Sequence, residues 1–165
     1  MPRTDKRDIL TKDDLKEEFK ERYKTILGAE YEKFIDCLFQ KSPTFIRLNP
    51  LKASAGWLKK KDWYVERVPW YEYGYKIVKG PENIGNTVEH RLGLFYVQDA
   101  ASMVPPVVLN PKPGETVLDL TAAPGSKTTQ MAEMMKWKGI IVANDISTAR
   151  INILSSNVQR MGSIN

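Results

Sequence analysis

This 165-residue chain has one cysteine, one histidine and no long apolar run, and each shortage excludes something. Cys37 has no second thiol to pair with, so no internal disulfide can form, and a reducing, cytoplasmic setting is expected. No histidine lies near Cys37 to activate it, so it reads as a small, half-buried packing thiol. His90 precedes Arg91 in a loop-like stretch and reads as structural or solvated; no metal site is expected. No apolar run is long enough to span a bilayer, which argues against a membrane partner. The first eight residues carry both signs of charge and lead into no apolar core, so they do not read as a signal peptide. Glycine-rich phosphate loops are missing as well. The loop at residues 121–127 has a single glycine, Gly125, where a dinucleotide fingerprint needs three. Lys127-Thr128 follows Ser126 rather than glycine, which removes the P-loop too.

What is present is an ordinary globular composition, 42% hydrophobic and 27% charged. The net charge of +5 is unevenly placed. Residues 1–40 hold nine Lys and Arg against ten Asp and Glu, and residues 81–165 hold seven of each. Residues 41–80 hold nine against three, so the basic excess sits there. The same stretch holds half of the aromatics: Phe45, Trp57, Trp63, Tyr64, Trp70, Tyr71, Tyr73 and Tyr75. Any single one of these reads as core. Cations that neutralise phosphates, interleaved with rings that stack on unpaired bases, point to nucleic acid for the cluster as a whole.

Hydrophobic spacing organises the chain into three segments, 1–42, 43–92 and 93–165. In the first, Leu15, Phe19, Tyr23, Ile26 and Leu27 form one helical stripe, and Tyr31, Phe34, Ile35 and Leu38 a second. Thr11 and Asp14 have capping-box spacing, and Gly28 is a helix stop. In the second, residues 44–48, 63–68 and 75–78 read as strands and 51–61 as a helix, a small α+β unit. In the third, 94–97 reads as a strand, and 98–109 as a helix interrupted by Pro105-Pro106. Residues 116–120, 126–136, 140–143 and 147–161 then read strand, helix, strand, helix, the signature of a parallel sheet. Ile151, Leu154, Val158 and Met161 give the last helix its buried face.

Ligands of such sheets bind where a strand ends and its helix begins. Thr121, Ala122, Ala123, Pro124 and Gly125 occupy that position, small enough for a ligand to approach the backbone. Asp145 follows the second strand, 20 residues after Gly125, where a carboxylate can accept from both ribose hydroxyls of an adenosine. Alone, Asp145 reads as an N-cap of the last helix; paired with the small-residue loop it reads as the ribose ligand.

Val117-Leu-Asp-Leu120 followed by Ala122-Ala-Pro-Gly-Ser-Lys-Thr-Thr-Gln130 closely resembles the first cofactor motif of the Nol/Nop/Sun family of RNA (cytosine-5) methyltransferases. Phe45-Ile-Arg-Leu-Asn49 with Leu51-Lys52 resembles the family's Arg-x-Asn-x-Leu-Lys segment, and Tyr96-Val-Gln-Asp-Ala-Ala-Ser102 its Gln-Asp/Glu segment. Ala143-Asn-Asp-Ile-Ser147, with Arg150, Asn157, Arg160 and Gly162, resembles its second motif and following helix. Thr121 and Ser126 stand where many members have Cys and Gly; both are small. The resemblance runs from about residue 43 to the end of the chain.

It implies an α/β fold class: an incomplete Rossmann-like S-adenosylmethionine-dependent methyltransferase domain, preceded by a small α+β RNA-binding-type domain and N-terminal helices. It implies S-adenosylmethionine held by Thr121, Ala122, Ala123, Pro124, Gly125, Ser126 and Lys127, with Asp145 on the ribose and Arg150 in support. It implies an RNA partner, transfer or ribosomal, for which Arg47, Lys52, Lys59, Lys60 and Lys61 are the candidate contacts. The family forms 5-methylcytosine through a thiolate adduct at carbon 6 of the base. Its two cysteine motifs have no counterpart here, so the chain is expected to be an N-terminal portion of a longer enzyme, monomeric when whole and inactive or self-associating as a piece. A non-catalytic RNA-binding protein on a vestigial scaffold is the alternative; it would bind RNA salt-dependently without cofactor affinity. A nucleotide hydrolase is a remoter one.

Overall fold

Apolar residues three and four apart share a helix face, and two short helices before residue 40 bring theirs together. The computed structural model describes residues 11–40, 42–59 and 61–165, in two units, Met1–Ser42 and Pro43–Asn165. In the first unit α1 (Glu17–Leu27) ends at Gly28 and α2 (Tyr31–Leu38) follows. Phe19 and Tyr23 meet at 4.5 Å between ring centroids, and Tyr23 and Phe34 at 4.9 Å. Tyr31 and Ile35 are buried, whereas Ile26 and Leu38, expected in the stripes, are exposed. The Thr11 N–H donates to the Asp14 carboxylate at 2.7 Å, the pairing read from the spacing, but it closes a 3-10 turn over Lys12–Asp14. Cys37 is exposed, not half-buried. It lies two positions past Ile35, about 200° round the helix, and so faces away from the buried side.

The second unit contains β1 (Thr44–Leu48), α3 (Ala55–Lys59), β2 (Tyr64–Arg67), β3 (Gly74–Lys79), α4 (Val88–Arg91), β4 (Phe95–Val97), α5 (Val104–Leu109), β5 (Thr116–Asp119), α6 (Ser126–Met134), β6 (Ile140–Ala143) and α7 (Thr148–Met161). The first four strands form an antiparallel sheet of order β2-β3-β1-β4. Ile46, Leu48 and Phe95 are fully buried at its centre, with Leu58 and Tyr75 around them and Trp57 and Trp63 packed against them. Residues 94–97, expected with the parallel half, therefore complete the first sheet: Leu48 pairs with Phe95 and Ile46 with Val97. Phe95 makes the difference, because its ring fills the core that Ile46 and Leu48 line.

Several elements are shorter than their periodicity suggests. The helix expected over 51–61 begins only at Ala55, because the Asn49 side chain and carbonyl take the N–H groups of Leu51, Lys52 and Ala53 in a turn. His90 lies in α4, capped by the Thr87 hydroxyl, rather than in a loop. Pro105 and Pro106 do not interrupt a helix; they occupy the first turn of α5, where proline's missing N–H costs nothing.

β5 and β6 pair in parallel, Val117 opposite Ile141 and Asp119 opposite Ala143. Val117 and Ile141 are half-buried on one face, while Leu118, Ile140 and Val142 on the other are 60%, 56% and 52% exposed. A parallel sheet ordinarily has both faces covered, and here one is bare. The chain returns beside β6 after α7, where the Ile141 N–H donates to the Asn165 carbonyl at 2.7 Å. α7 buries Leu154 and Met161 and half-buries Val158; Ile151, expected on that face, is exposed.

Candidate functional site

The loop from Thr121 to Gly125 is held from three sides. Behind it, the Ala122 N–H donates to the Asn144 carbonyl at 2.8 Å, and the Ala123 N–H to Asp145 Oδ2 at 3.2 Å. From α7, Arg150 Nη2 donates to the Ala123 carbonyl at 2.7 Å and Asn157 Nδ2 to the Pro124 carbonyl at 2.9 Å. From β4, the Tyr96 hydroxyl donates to the same Pro124 carbonyl at 3.3 Å. Gly125 turns the chain with φ of 103°, and a Cβ there would meet Leu154 Cδ1 at 2.9 Å, so both backbone and space call for glycine. Ala122, Ala123 and Gly125 are buried, while Thr121, Pro124 and Lys127 are exposed on the outer side. No side chain caps the N-terminus of α6, which begins at Ser126. In front of it, Thr128 Oγ1 donates to Asp119 at 2.7 Å, tying helix to strand.

Asp145 is buried and does not cap α7; Ser147 does, accepting from the Arg150 N–H. The Asp145 carboxylate accepts instead from the Ala123 N–H, the Ser147 N–H at 3.2 Å and Arg150 Nη1 at 3.2 Å. A carboxylate has about four acceptor positions, so these three leave about one, and a second wherever the half-exposed Arg150 moves aside. Arg150 is thus no free helix charge: it bridges Asp145 and the loop.

The five candidate RNA contacts separate sharply. Arg47 is fully buried, which removes it from any RNA surface. Nε and Nη2 grip the two Glu133 oxygens at 3.0 and 2.8 Å, Nη1 donates to Gln98 Oε1 and to the Ser126 carbonyl, and Nη2 also reaches Thr129 Oγ1 at 2.9 Å. All five guanidinium N–H groups are therefore used inside the protein. Burial pushes the Glu133 carboxyl up, to about 7, against the opposing pull of Arg47. Lys52 is exposed, and its Nζ donates to the Arg160 carbonyl at 2.8 Å and the Leu92 carbonyl at 3.2 Å, closing the end of α7. Burial, then the nearby Arg160 charge, lowers its pKa. Lys61 is paired with Glu89 and lies 5.9 Å from the Trp57 ring centroid. Lys60 lies outside the described residues. Lys59 is exposed at the end of α3 and shares an open cleft with Trp63, Tyr64, Val65 and Arg67. Of the aromatics, Tyr64 (61%) and Trp70 (45%) are exposed; the core reading holds for most of the others. No group of three or more metal-ligating side chains occurs among the described residues, and no described helix is long and apolar enough to cross a membrane.

Sequence reasoning missed the partners of this framework. Gln98 Nε2 donates to Gln130 Oε1 at 3.0 Å and to the Ser102 carbonyl, and Gln130 Nε2 donates to the Met103 carbonyl. Asn49 Nδ2 donates to the Met161 carbonyl at 3.0 Å. The Arg-x-Asn and Gln-Asp segments marked the positions of Arg47, Asn49 and Gln98 without revealing that they point inward.

A parallel strand pair backed by two helices, with a pinned small-residue loop after its first strand and a carboxylate after its second, defines the first part of a Rossmann-like methyltransferase. Residues 15–100 match the N-terminal domain of 16S rRNA methyltransferase RsmF, and residues 106–165 match 16S rRNA methyltransferase RsmB/F; the chain belongs to this family. It is 48% identical over 130 residues, 73% of this chain and 27% of the relative, to ribosomal RNA small subunit methyltransferase F of Shewanella loihica. It is 42% identical over 158 residues, 90% of this chain and 51% of the relative, to the tRNA (cytosine(49)-C(5))-methyltransferase of Pyrococcus abyssi. A methyltransferase homologue from Pyrococcus horikoshii superposes on 92% of this chain, and 51% of that one, with a TM-score of 0.82 and 37% identity. The chain thus spans about half or less of the length of these relatives.

Proposed function

We propose that this chain supplies the cofactor site and part of the RNA-binding surface of an S-adenosylmethionine-dependent methyltransferase that forms 5-methylcytosine in ribosomal or transfer RNA, in the cytoplasm. The observation that carries the reading is the Thr121–Gly125 loop, fixed through its carbonyls and closed from behind by Asp145. S-adenosylmethionine brings a methyl group on a sulfonium, a ribose diol and a carboxylate, with no phosphate. The residues suit each part. Asp145, with about one acceptor position left while Arg150 holds it, takes one ribose hydroxyl, and the second where Arg150 moves aside. The uncapped start of α6, at Ser126 and Lys127, offers N–H groups and the positive end of the helix dipole to the methionine carboxylate. Thr121, Ala122, Ala123 and Pro124 leave room for the adenosyl and methionine arms.

Lys59, with Tyr64 and Arg67 in the same cleft, is the RNA-facing part of the basic segment. The adduct-forming thiolate is assigned to the full-length protein; Cys37 matches no family motif. The bare face at Leu118, Ile140 and Val142 favours self-association of this chain by itself. Methyl transfer from labelled S-adenosylmethionine to total RNA by the full-length protein tests the reading, with 5-methylcytosine as the expected product. Label in any other nucleoside, or none, contradicts it.

A further inference from the structure

Tyr96, which reaches the Thr121–Gly125 loop from β4, occupies the junction between the antiparallel sheet and that loop. It is buried, so it cannot meet RNA directly. Two guanidinium groups lie over its ring, Arg47 at 5.2 Å and Arg160 at 5.1 Å from the centroid. Both arginines are fixed elsewhere: Arg47 by Glu133, Gln98 and Ser126, and Arg160 by the His90 and Phe95 carbonyls and Asn157 Oδ1. Burial raises the Tyr96 pKa against the opposing pull of the two arginines, and the phenol stays a proton donor at neutral pH. Its one polar partner among the described residues is the Pro124 carbonyl, at 3.3 Å.

We propose that Tyr96 is a positioning residue for the cofactor: with its ring held by Arg47 and Arg160, its hydroxyl fixes the Pro124 carbonyl and with it the loop surface that receives S-adenosylmethionine. The inference rests on the cofactor reading above. Pro124 lies inside the loop, and its carbonyl takes donors from β4 through Tyr96 and from α7 through Asn157. Two residues on, Arg47 holds the Ser126 carbonyl at 2.6 Å. The backbone on either side of Gly125 is therefore set by β1 and β4. A loop already ordered before binding pays less entropy when the ligand arrives. Removing the hydroxyl loosens the loop without releasing the ring, since a phenylalanine ring keeps both cation–π contacts.

The test is Tyr96→Phe in the full-length protein, with steady-state kinetics, calorimetry and thermal melting. The expected result is a KM for S-adenosylmethionine raised roughly three- to tenfold, the scale of one lost hydrogen bond. The KM for RNA and kcat are expected to hold, because the contact is the same in ground and transition states. The melting temperature without cofactor is expected to stay within about 2 °C of wild type. An unchanged cofactor KM overturns the positioning role alone. A lower melting temperature with both KM values raised together also overturns it, because that marks general loosening. Wild-type protein that binds no S-adenosylmethionine overturns the cofactor reading itself, and the positioning role with it.

Discussion

Arg47 carries a full charge at the centre of a sheet, and everything about it follows from how that charge is satisfied. It stands between Ile46 and Leu48, and all three side chains are fully buried. Simple alternation along a strand puts the middle residue in water. Here α6 covers that face, and Glu133 and Thr129 on α6, with Gln98, meet the guanidinium. Removing one partner of a buried ion pair leaves the other unpaired in a poor solvent. Arg47→Ala is therefore expected to lower stability by about 3–5 kcal/mol in denaturant unfolding. The double variant Arg47→Met with Glu133→Leu is expected to lose less than Arg47→Ala, because it leaves no orphan charge. A double variant less stable than Arg47→Ala would contradict this account of the pair.

At the scale of elements, α3 and β2 place Lys59 and Arg67 in one cleft, and β3 adds the exposed Lys79. Lys52 and Lys61 are engaged with α7 and Glu89, whereas Lys59 and Arg67 lie beside the exposed ring of Tyr64. Each cation that neutralises a phosphate adds about one unit to the slope of log affinity against log salt. Lys59→Glu combined with Arg67→Glu is expected to flatten that slope by about two units for RNA, with cofactor affinity unchanged. An unchanged slope would move the RNA surface elsewhere.

The same elements show what the chain's own letters disclose. The parallel β5–β6 pair and its loop were legible because small residues, one glycine and a spaced aspartate are local signals that need no tertiary context. The destinations of Arg47 and Lys52 were not. A lysine or arginine reads as surface unless its partner is known, and theirs lie 86 and 108 residues away, at Glu133 and the Arg160 carbonyl. Phe95 was misplaced for a related reason: a three-residue strand carries no pattern that names its neighbour, and only the core around Ile46 and Leu48 claims it.

Across the second unit, one side chain set serves both halves. The antiparallel sheet sends Arg47 and Tyr96 to the loop and to α6, while Asn49 and Lys52 close the end of α7. Gly93 permits that closure with φ of 70°, since a Cβ there would meet the Arg160 carbonyl oxygen at 2.0 Å. The module that bears Lys59 and Tyr64 is thus also the support on which the Thr121–Gly125 loop is built. Asp145 joins the loop backbone to Arg150 and keeps about one acceptor position for a ribose hydroxyl, so cofactor affinity should depend on it. Calorimetric titration of the full-length protein with S-adenosylmethionine, alongside Asp145→Ala, tests this most directly. The predicted result is binding by wild type and affinity lower by about tenfold or more in the variant, as expected for lost hydrogen bonds to a charged group. Equal affinity in the two proteins, or no binding by wild type, would contradict it.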